Sequence, residues 1–560
     1  MVRGILERIA APVRGLHQAA YLLAALTLAS QALALLRDRT FAHTFGAGQI
    51  LDLYYAGFRV PDLVFALVSS LVSAYVLIPR ITGMKREEVQ QLLSECCTFL
   101  IVVGGLICAV LAVWMPQFLA VLYPDLLHSD YRDSFILLSR LLLIQPILLG
   151  LSGVLASVTQ VHRRFMLFAL SPVFYNLGII LGTTVFYPRW GLVGIGVGVL
   201  IGAVAYLAVN IPVLMRAGVF PQFRFPTRAR MQSIVKDSVP RSLALGMGSI
   251  TLLALTAFAS RLGTGAVSLF SLASNLESVP LGLIGASYAV AAFPALSETA
   301  APEKRSEFTA ILGAGARHVI LWSIVALGLI AVLRAYLVRV ILGTGAFDWD
   351  ATRLTAALLV ILAIGLVAQG LILLFSRALY AIKKSWGPLL YQILAGALTV
   401  ALAAYFLAFP NAALLTWFAA FLKVSDVQGT AVLVIAAAAT VGQLVLVCLC
   451  LFALRKETPD LNRTLVKPFL HGIIAAISAG AAAYVVLMLL GEIAPLTTLL
   501  TVFTDGLIAG IVGLLAAALA LYLLENEEFR IVTSALTRLV RPNRGDTPVS
   551  VPSAEQPIQP

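Results

Sequence analysis

Three charged residues stand inside one apolar stretch of the chain: Asp52, Arg59 and Asp62. A charge at mid-bilayer costs ~2.5–3.5 kcal/mol on insertion scales, so a charge that persists there faces a cavity or a partner. Asp52 and Arg59 are seven residues apart, and Arg59 and Asp62 three, which places all of them on roughly one helical face. Arg37, Asp38 and Arg39 close the preceding apolar run. Two readings follow. The groups line a cavity that receives an anionic head group, or they form internal ion pairs that lock the first two helices together; one residue can serve both. Further along stand Arg241, Asn275, Glu277 and Arg377. Gln31, Gln145, Asn176, Gln369 and Gln392 are neutral polar groups within apolar runs, where hydrogen bonding between helices is the expected use. Asp505 suits either a cation site or the outer, wet end of a helix.

Other chemistry finds little support. Gly191, Gly194, Gly196, Gly198 and Gly202 spell something like a nucleotide loop, but they fall inside an apolar run with no preceding strand, so close helix packing is expected. There is no Walker loop. The histidines form no metal-binding spacing, and no Ser-His-Asp constellation can be argued, so no catalytic activity is expected. The five cysteines sit in apolar segments and read as buried small hydrophobes. No basic stretch with interleaved aromatics lies outside the apolar runs, which argues against nucleic acid.

The elements that position these residues are membrane spans. The chain of 560 residues is 60% hydrophobic and 12% charged, with net charge +12. Apolar runs long enough to cross a ~30 Å hydrocarbon core recur from Leu16 to Leu524. About fourteen all-α spans are expected, near 16–37, 50–78, 92–114, 134–158, 166–187, 191–215, 236–260, 266–296, 308–333, 354–381, 386–408, 429–453, 466–490 and 497–524. The even-numbered junctions carry Arg80, Lys85 and Arg86, then Arg163 and Arg164, Arg216 to Lys236, Lys304 and Arg305, Lys383 and Lys384, and Arg455 to Lys467. The odd-numbered junctions are poor in Lys and Arg and hold Asp125, Asp130, Asp348, Asp350, Asp426 and Glu492. Both termini are therefore expected in the cytoplasm. Arg3, Arg8 and Arg14 before an apolar stretch imitate a signal peptide, but a retained first helix is the expectation. Pro61, Pro146, Pro172, Pro280 and Pro388 favour kinks.

A repeat is visible. FAHTFGAG, residues 41–48, returns as FASRLGTG, residues 258–265, at an offset of 217. The Ser171-Pro172 start of the fifth span returns as Gly387-Pro388 at an offset of 216. The expected organisation is an amphipathic cytoplasmic N-terminus (1–15), a first six-helix lobe (16–230), a second (231–457) related by a parallel pseudo-two-fold, two extra helices (458–528) and a largely disordered cytoplasmic tail (529–560). Repeated lobes suit a transporter working by alternating access. The segment 409–428 suits a helix lying on the outer interface.

The stretch RDRTFAHTFGAGQILDLYYAGFRVPDL, residues 37–63, resembles the MurJ (MviN) family, within the multidrug/oligosaccharidyl-lipid/polysaccharide exporter superfamily. Arg37, Asp38, Phe45, Gly46, Ala47, Gly48, Asp52, Arg59 and Pro61 carry the match, with Val239-Pro240, Pro280, Gly282, Gly285 and the run Phe293 to Ser297. The resemblance implies a flippase that moves lipid II, the undecaprenyl-diphosphate-linked peptidoglycan precursor, across the bacterial inner membrane for cell-wall biogenesis and cell shape. It also implies a basic central cavity and a groove for the lipid tail framed by the last two helices. The sequence departs from the family pattern at Gln31, Phe65 and Asn275, where cations are the rule, and Glu277 is shifted. The expected substrate contacts are Arg37 and Arg59, with Asp52 and Asp62 orienting them and Asp38 as a gate. Gln31, Asn275, Glu277, Arg241 and Arg377 complete the set. No cofactor is expected; coupling to membrane potential or to a monovalent cation stays open, as do the oligomeric state and cell-wall synthesis partners. The alternatives are another polyprenyl-linked glycan as substrate, or a non-transporting scaffold of the cell envelope.

Overall fold

The computed structural model describes residues 16–162, 164–409, 412–491 and 498–540. The expected N-terminal segment 1–15, Arg163, Glu492 and the tail from 541 onward lie outside the described residues. Among the described residues all regular structure is helical. In chain order the principal helices are α1 (Leu16–Phe45), α2 (Gln49–Leu67), α3 (Ser69–Ile81), α4 (Arg86–Leu122), α5 (Arg132–Val161), α6 (Leu170–Trp190), α7 (Leu192–Ala217), α8 (Arg228–Ala259) and α9 (Ala266–Glu298). There follow α10 (Pro302–Ile341), α11 (Trp349–Ile364), α12 (Leu366–Ala381), α13 (Trp386–Ala408), α14 (Ala412–Phe421), α15 (Val432–Leu454), α16 (Leu461–Leu490), α17 (Leu499–Leu523) and α18 (Glu527–Val540).

Eleven of these are long and apolar enough to cross a membrane, or thirteen if the bent pairs α2–α3 and α11–α12 each count as one span. Fourteen were expected; among the described residues two of those runs are broken by a bend, and α1 is not among the thirteen. The pairs bend by 41° and 43°, near Val68 and at Gly365. Neither bend falls at a proline: Pro61 and Pro172 lie inside helices, Pro146 and Pro388 sit in first turns, and Pro280 precedes a wide π turn at Gly282–Ala286. The apolar side chains left exposed, such as Leu106, Val113, Leu489, Leu500 and Leu515, are those a bilayer would cover.

Packing divides the chain into two compact units, one running to Val267 and the other beginning at Ser268. The sequence repeat would start a second lobe at 231, but α8 packs along α2 and so stays with the first unit. Gly246 marks a close approach: a Cβ there would meet Leu67 Cδ2 at 2.2 Å. In the first unit the glycines of α6 and α7 let two backbones touch, since a Cβ at Gly198 would lie 2.3 Å from Gly182 Cα. These are packing glycines, as expected. In the second unit Phe308, Leu312, Leu374, Phe375, Leu379, Leu446 and Leu461 form one buried cluster. Of the cysteines, Cys96, Cys97, Cys108 and Cys450 are buried, whereas Cys448 is exposed. An apolar helix face is compatible with a thiol turned outward, so the expectation of burial fails there.

The ion pairs sort the loops. Arg80 pairs with Asp237, Arg86 donates to the Gly218 carbonyl (2.9 and 2.7 Å), and Arg230 reaches the buried Glu95 (3.2 Å). Glu457 takes both Arg305 and Lys384 at 2.8 Å. Each of these joins residues at or next to even-numbered junctions. Arg353 to Asp426 (2.6 Å) joins the ends of odd-numbered ones. Residues 529–540 of the expected tail continue as α18, because Asn526 caps it (Phe529 N–H to Oδ1, 2.9 Å) and Phe529 packs against the buried cluster that contains Leu321 and Leu521.

Candidate functional site

The first unit gathers seven of the expected residues on α1, α2 and α8. Arg37 closes on its neighbour, with Nε and Nη2 donating to Asp38 Oδ1 at 2.9 and 2.7 Å. Its Nη1 donates to Asn176 Oδ1 of α6 at 3.1 Å. The Asn176 amide is itself turned by its Nδ2, which donates to the Pro172 carbonyl at 3.0 Å. Asp38 is 2% exposed, so the pair is buried on the carboxylate side while the guanidinium keeps some open surface.

Helix α2 carries the other charges. Asp52, fully buried, accepts the Gly265 N–H at 2.6 Å. Gly265 ends the turn that repeats the one around Gly46 to Gly48, and the two turns meet: a Cβ on Gly265 would stand 2.5 Å from the Ala47 carbonyl oxygen. Gly46 and Gly263, matched by the repeat, both take positive φ, 62° and 111°, which a side chain rarely adopts. Two turns on from Asp52, Arg59 Nε donates to Thr256 Oγ1 of α8 at 2.9 Å. The Thr256 hydroxyl donates in turn to the Leu252 carbonyl at 2.8 Å. Asp62 follows on the same face and is half-buried. Arg241 of α8 donates to Ser73 Oγ at 3.0 Å, and the Ser70 and Ser242 hydroxyls lie 2.7 Å apart. Gln31 lies half-buried on α1, nearly two turns before Asp38. Phe41 meets Tyr54 edge-on and Tyr54 meets Phe58 at a tilt, with centroids 4.7 and 4.8 Å apart.

The difference in partners matters. Asp38 cancels much of the Arg37 charge. A hydroxyl, by contrast, adds a directed hydrogen bond and no opposing charge, and Arg59 and Arg241 each receive one. An oriented, charged guanidinium in a poorly hydrated setting is the group that binds phosphate best. Thr256, Ser73, Ser70 and Ser242 are the residues that sequence reasoning missed. Hydroxyls are common in apolar helices, so nothing in their type flagged them.

The second unit holds the remaining three. Glu277 of α9 is 5% exposed and accepts a hydrogen bond from Gln369 Nε2 of α12. Asn275 is half-buried, and its carbonyl accepts the Ser278 hydroxyl at 2.6 Å. Arg377 lies two turns after Gln369 on α12, half-buried. Among the described residues no three of His, Cys, Asp and Glu come together as a metal site.

Comparison with known proteins gives a consistent result. A family model described as lipid II flippase MurJ matches residues 41–504. A lipid II flippase MurJ of Burkholderia cenocepacia is 24% identical over 367 residues, covering 63% of this chain and 71% of that protein. A probable lipid II flippase MurJ of Thermotoga maritima is 29% identical over 381 residues, covering 67% and 76%. Among solved structures, a lipid II flippase MurJ in an inward closed conformation superposes with TM-score 0.69 at 20% identity, covering 90% of this chain and all (100%) of that one. An inward-facing multidrug resistance transporter of the MATE family, MOP superfamily, gives 0.60 at 16% identity, covering 78% and 96%. At those identities the superpositions speak for the fold.

Proposed function

The chain belongs to the lipid II flippase MurJ family, and we propose that it moves its substrate by alternating access, with Arg37 and Arg59 as the contacts to the diphosphate. It is a multi-pass protein of the bacterial inner membrane, a flippase of the undecaprenyl-diphosphate-linked peptidoglycan precursor and not an enzyme. The observation that carries the site reading is the hydroxyl-held guanidinium of Arg59, 2.9 Å from Thr256. Arg241 on Ser73 is a further cation held the same way, and it offsets the neutral Gln31, Phe65 and Asn275. Asp38 orients Arg37, and Asp62 tempers the charge of Arg59. In the second unit Glu277, Gln369, Asn275 and Arg377 are assigned to the glycan or to a coupling ion.

The finer architecture belongs to the same proposal. With α1 and each bent pair counted once, the spans number fourteen. The matched positive-φ glycines at 46 and 263 favour two repeated lobes, spans one to six and seven to twelve. Even junctions pairing with even, and odd with odd, favour strict up-down alternation, which with the Lys and Arg bias puts both termini in the cytoplasm. Helices α16 and α17 are assigned to the lipid tail.

Complementation tests the reading. In a bacterium whose lipid II flippase is depleted, this chain is expected to restore outer-leaflet exposure of the precursor. Arg37→Ala with Arg59→Ala is expected to abolish that rescue, and Arg59→Lys to retain part of it. Rescue undiminished by the double substitution would overturn the assignment of the two arginines. Failure of the well-inserted wild-type chain would point to a different polyprenyl-linked glycan, for which the neutral residues at 31, 65 and 275 would be the reason.

A further inference from the structure

One end of the second unit holds a cavity that the transport reading does not use. It encloses about 260 Å3 between α10, α16 and the start of α18, and its lining includes Arg317, Arg463, Thr464, Lys467, Asn526 and Glu528. Its far wall is internally satisfied. Arg317 Nε donates to Glu528 Oε1 at 2.6 Å, and Asn526 Nδ2 lies 3.2 Å from His471 Nδ1. Phe529 seats α18 against the buried cluster that contains Leu321, Val325 and Ala517. The near wall is different. Arg463 and Lys467 are one helical turn apart on α16, and among the described residues neither has a hydrogen bond or an ion pair.

From Val466 onward α16 turns an apolar stripe outward: Val466, Leu470, Ile474 and Ile477 are all exposed. Two free cations at the mouth of a cavity thus stand directly above a hydrocarbon-facing strip of the same helix. A soluble anion needs the first of these features and has no use for the second. Basic pockets between membrane helices are a recurrent way to hold phospholipid head groups.

We propose that this cavity binds the phosphodiester of a membrane phospholipid, with Arg463 and Lys467 as its ligands and the acyl chains lying along Val466, Leu470, Ile474 and Ile477. The bound lipid ties α16 to the seat of α18. The inference stands apart from the diphosphate assignment, since none of its residues belongs to that site, while it shares α16 with the helix pair assigned to the substrate's lipid tail.

The full-length protein in detergent, titrated with dioleoylphosphatidylglycerol and read by native mass spectrometry, tests this. The wild type is expected to retain the lipid, and Arg463→Gln with Lys467→Gln to weaken retention at least about tenfold. Arg455→Gln with Lys456→Gln, outside the cavity, is expected to behave as wild type, and size-exclusion profiles check that each variant is folded. Dioleoylglycerol, which lacks the phosphate, is expected not to be retained. Equal retention by the Arg463, Lys467 variant, or equal retention of dioleoylglycerol, would overturn the proposal. Binding of inorganic phosphate alone, without lipid retention, would assign the cavity to a soluble anion and overturn the lipid reading.

Discussion

Arg37 and Asp38 show what a charge inside a membrane helix costs and how this chain offsets it. Asp38 is 2% exposed, and Arg37 gives it two donors. Removing one member of a buried pair leaves the other without compensation, typically at about 3–5 kcal/mol. Arg37→Ala is therefore expected to lower the melting temperature in detergent more than Arg37→Gln with Asp38→Asn, which leaves no orphaned charge. The reverse order would mean that water reaches Asp38. At this scale the sequence was readable where charge was involved and unreadable where it was not. Arg37, Asp52, Arg59 and Arg241 stand out in apolar runs because they are expensive there. Thr256 and Ser73, which hold two of them, do not stand out, because a hydroxyl can always fall back on its own helix: Thr256 itself donates to the Leu252 carbonyl.

Among the elements, α6 and α7 make the sharpest steric prediction. The Cβ of any residue at 198 would come within 2.3 Å of the Gly182 backbone, so no rotamer can relieve the clash. Gly198→Val is expected to destabilise by about 3 kcal/mol or more, seen as aggregated material on size exclusion. Gly153→Ala, where nothing lies within 4 Å, is the matched control and is expected to fold normally. The loops make an electrostatic prediction. The Lys384 ammonium that hydrogen-bonds Glu457, aided by Arg305, holds that carboxyl below the ordinary glutamate range. A depressed carboxylate contributes stability that is full above its unfolded value, ~4.3, and is lost as pH falls through the folded one. Glu457→Gln is expected to cost about 1 kcal/mol at pH ~7, with the difference from wild type closing below pH ~4. Thermal melts at both pH values read this directly. Helix positions were legible from apolar length alone. The breaks near Val68 and at Gly365 were not, because prolines drew attention to other places while the actual bends depend on what each helix packs against.

For the whole molecule, membrane residence followed from patterns that physics imposes on any such chain: apolar length and loop charge. The boundary between packed units did not follow. The repeat would begin a second lobe near 231, yet contacts place the division at 267 and 268, since α8 is fastened to the first unit by Thr256, Ser242 and Arg241. Those fastenings are tertiary, and no local pattern announces them. They also bear on how the protein comes into being. Asp52 and the Gly265 amide that it accepts are separated by 213 residues. During synthesis, α2 enters the bilayer long before its partner has left the ribosome. For that interval the buried Asp52 carboxylate lacks the Gly265 donor, and the insertion machinery or a chaperone is expected to shelter it. Chains arrested before residue 259 are thus expected to be degraded by membrane proteases faster than chains arrested just beyond α9. Pulse-chase of the two would show the moment at which this protein stops being a client of quality control.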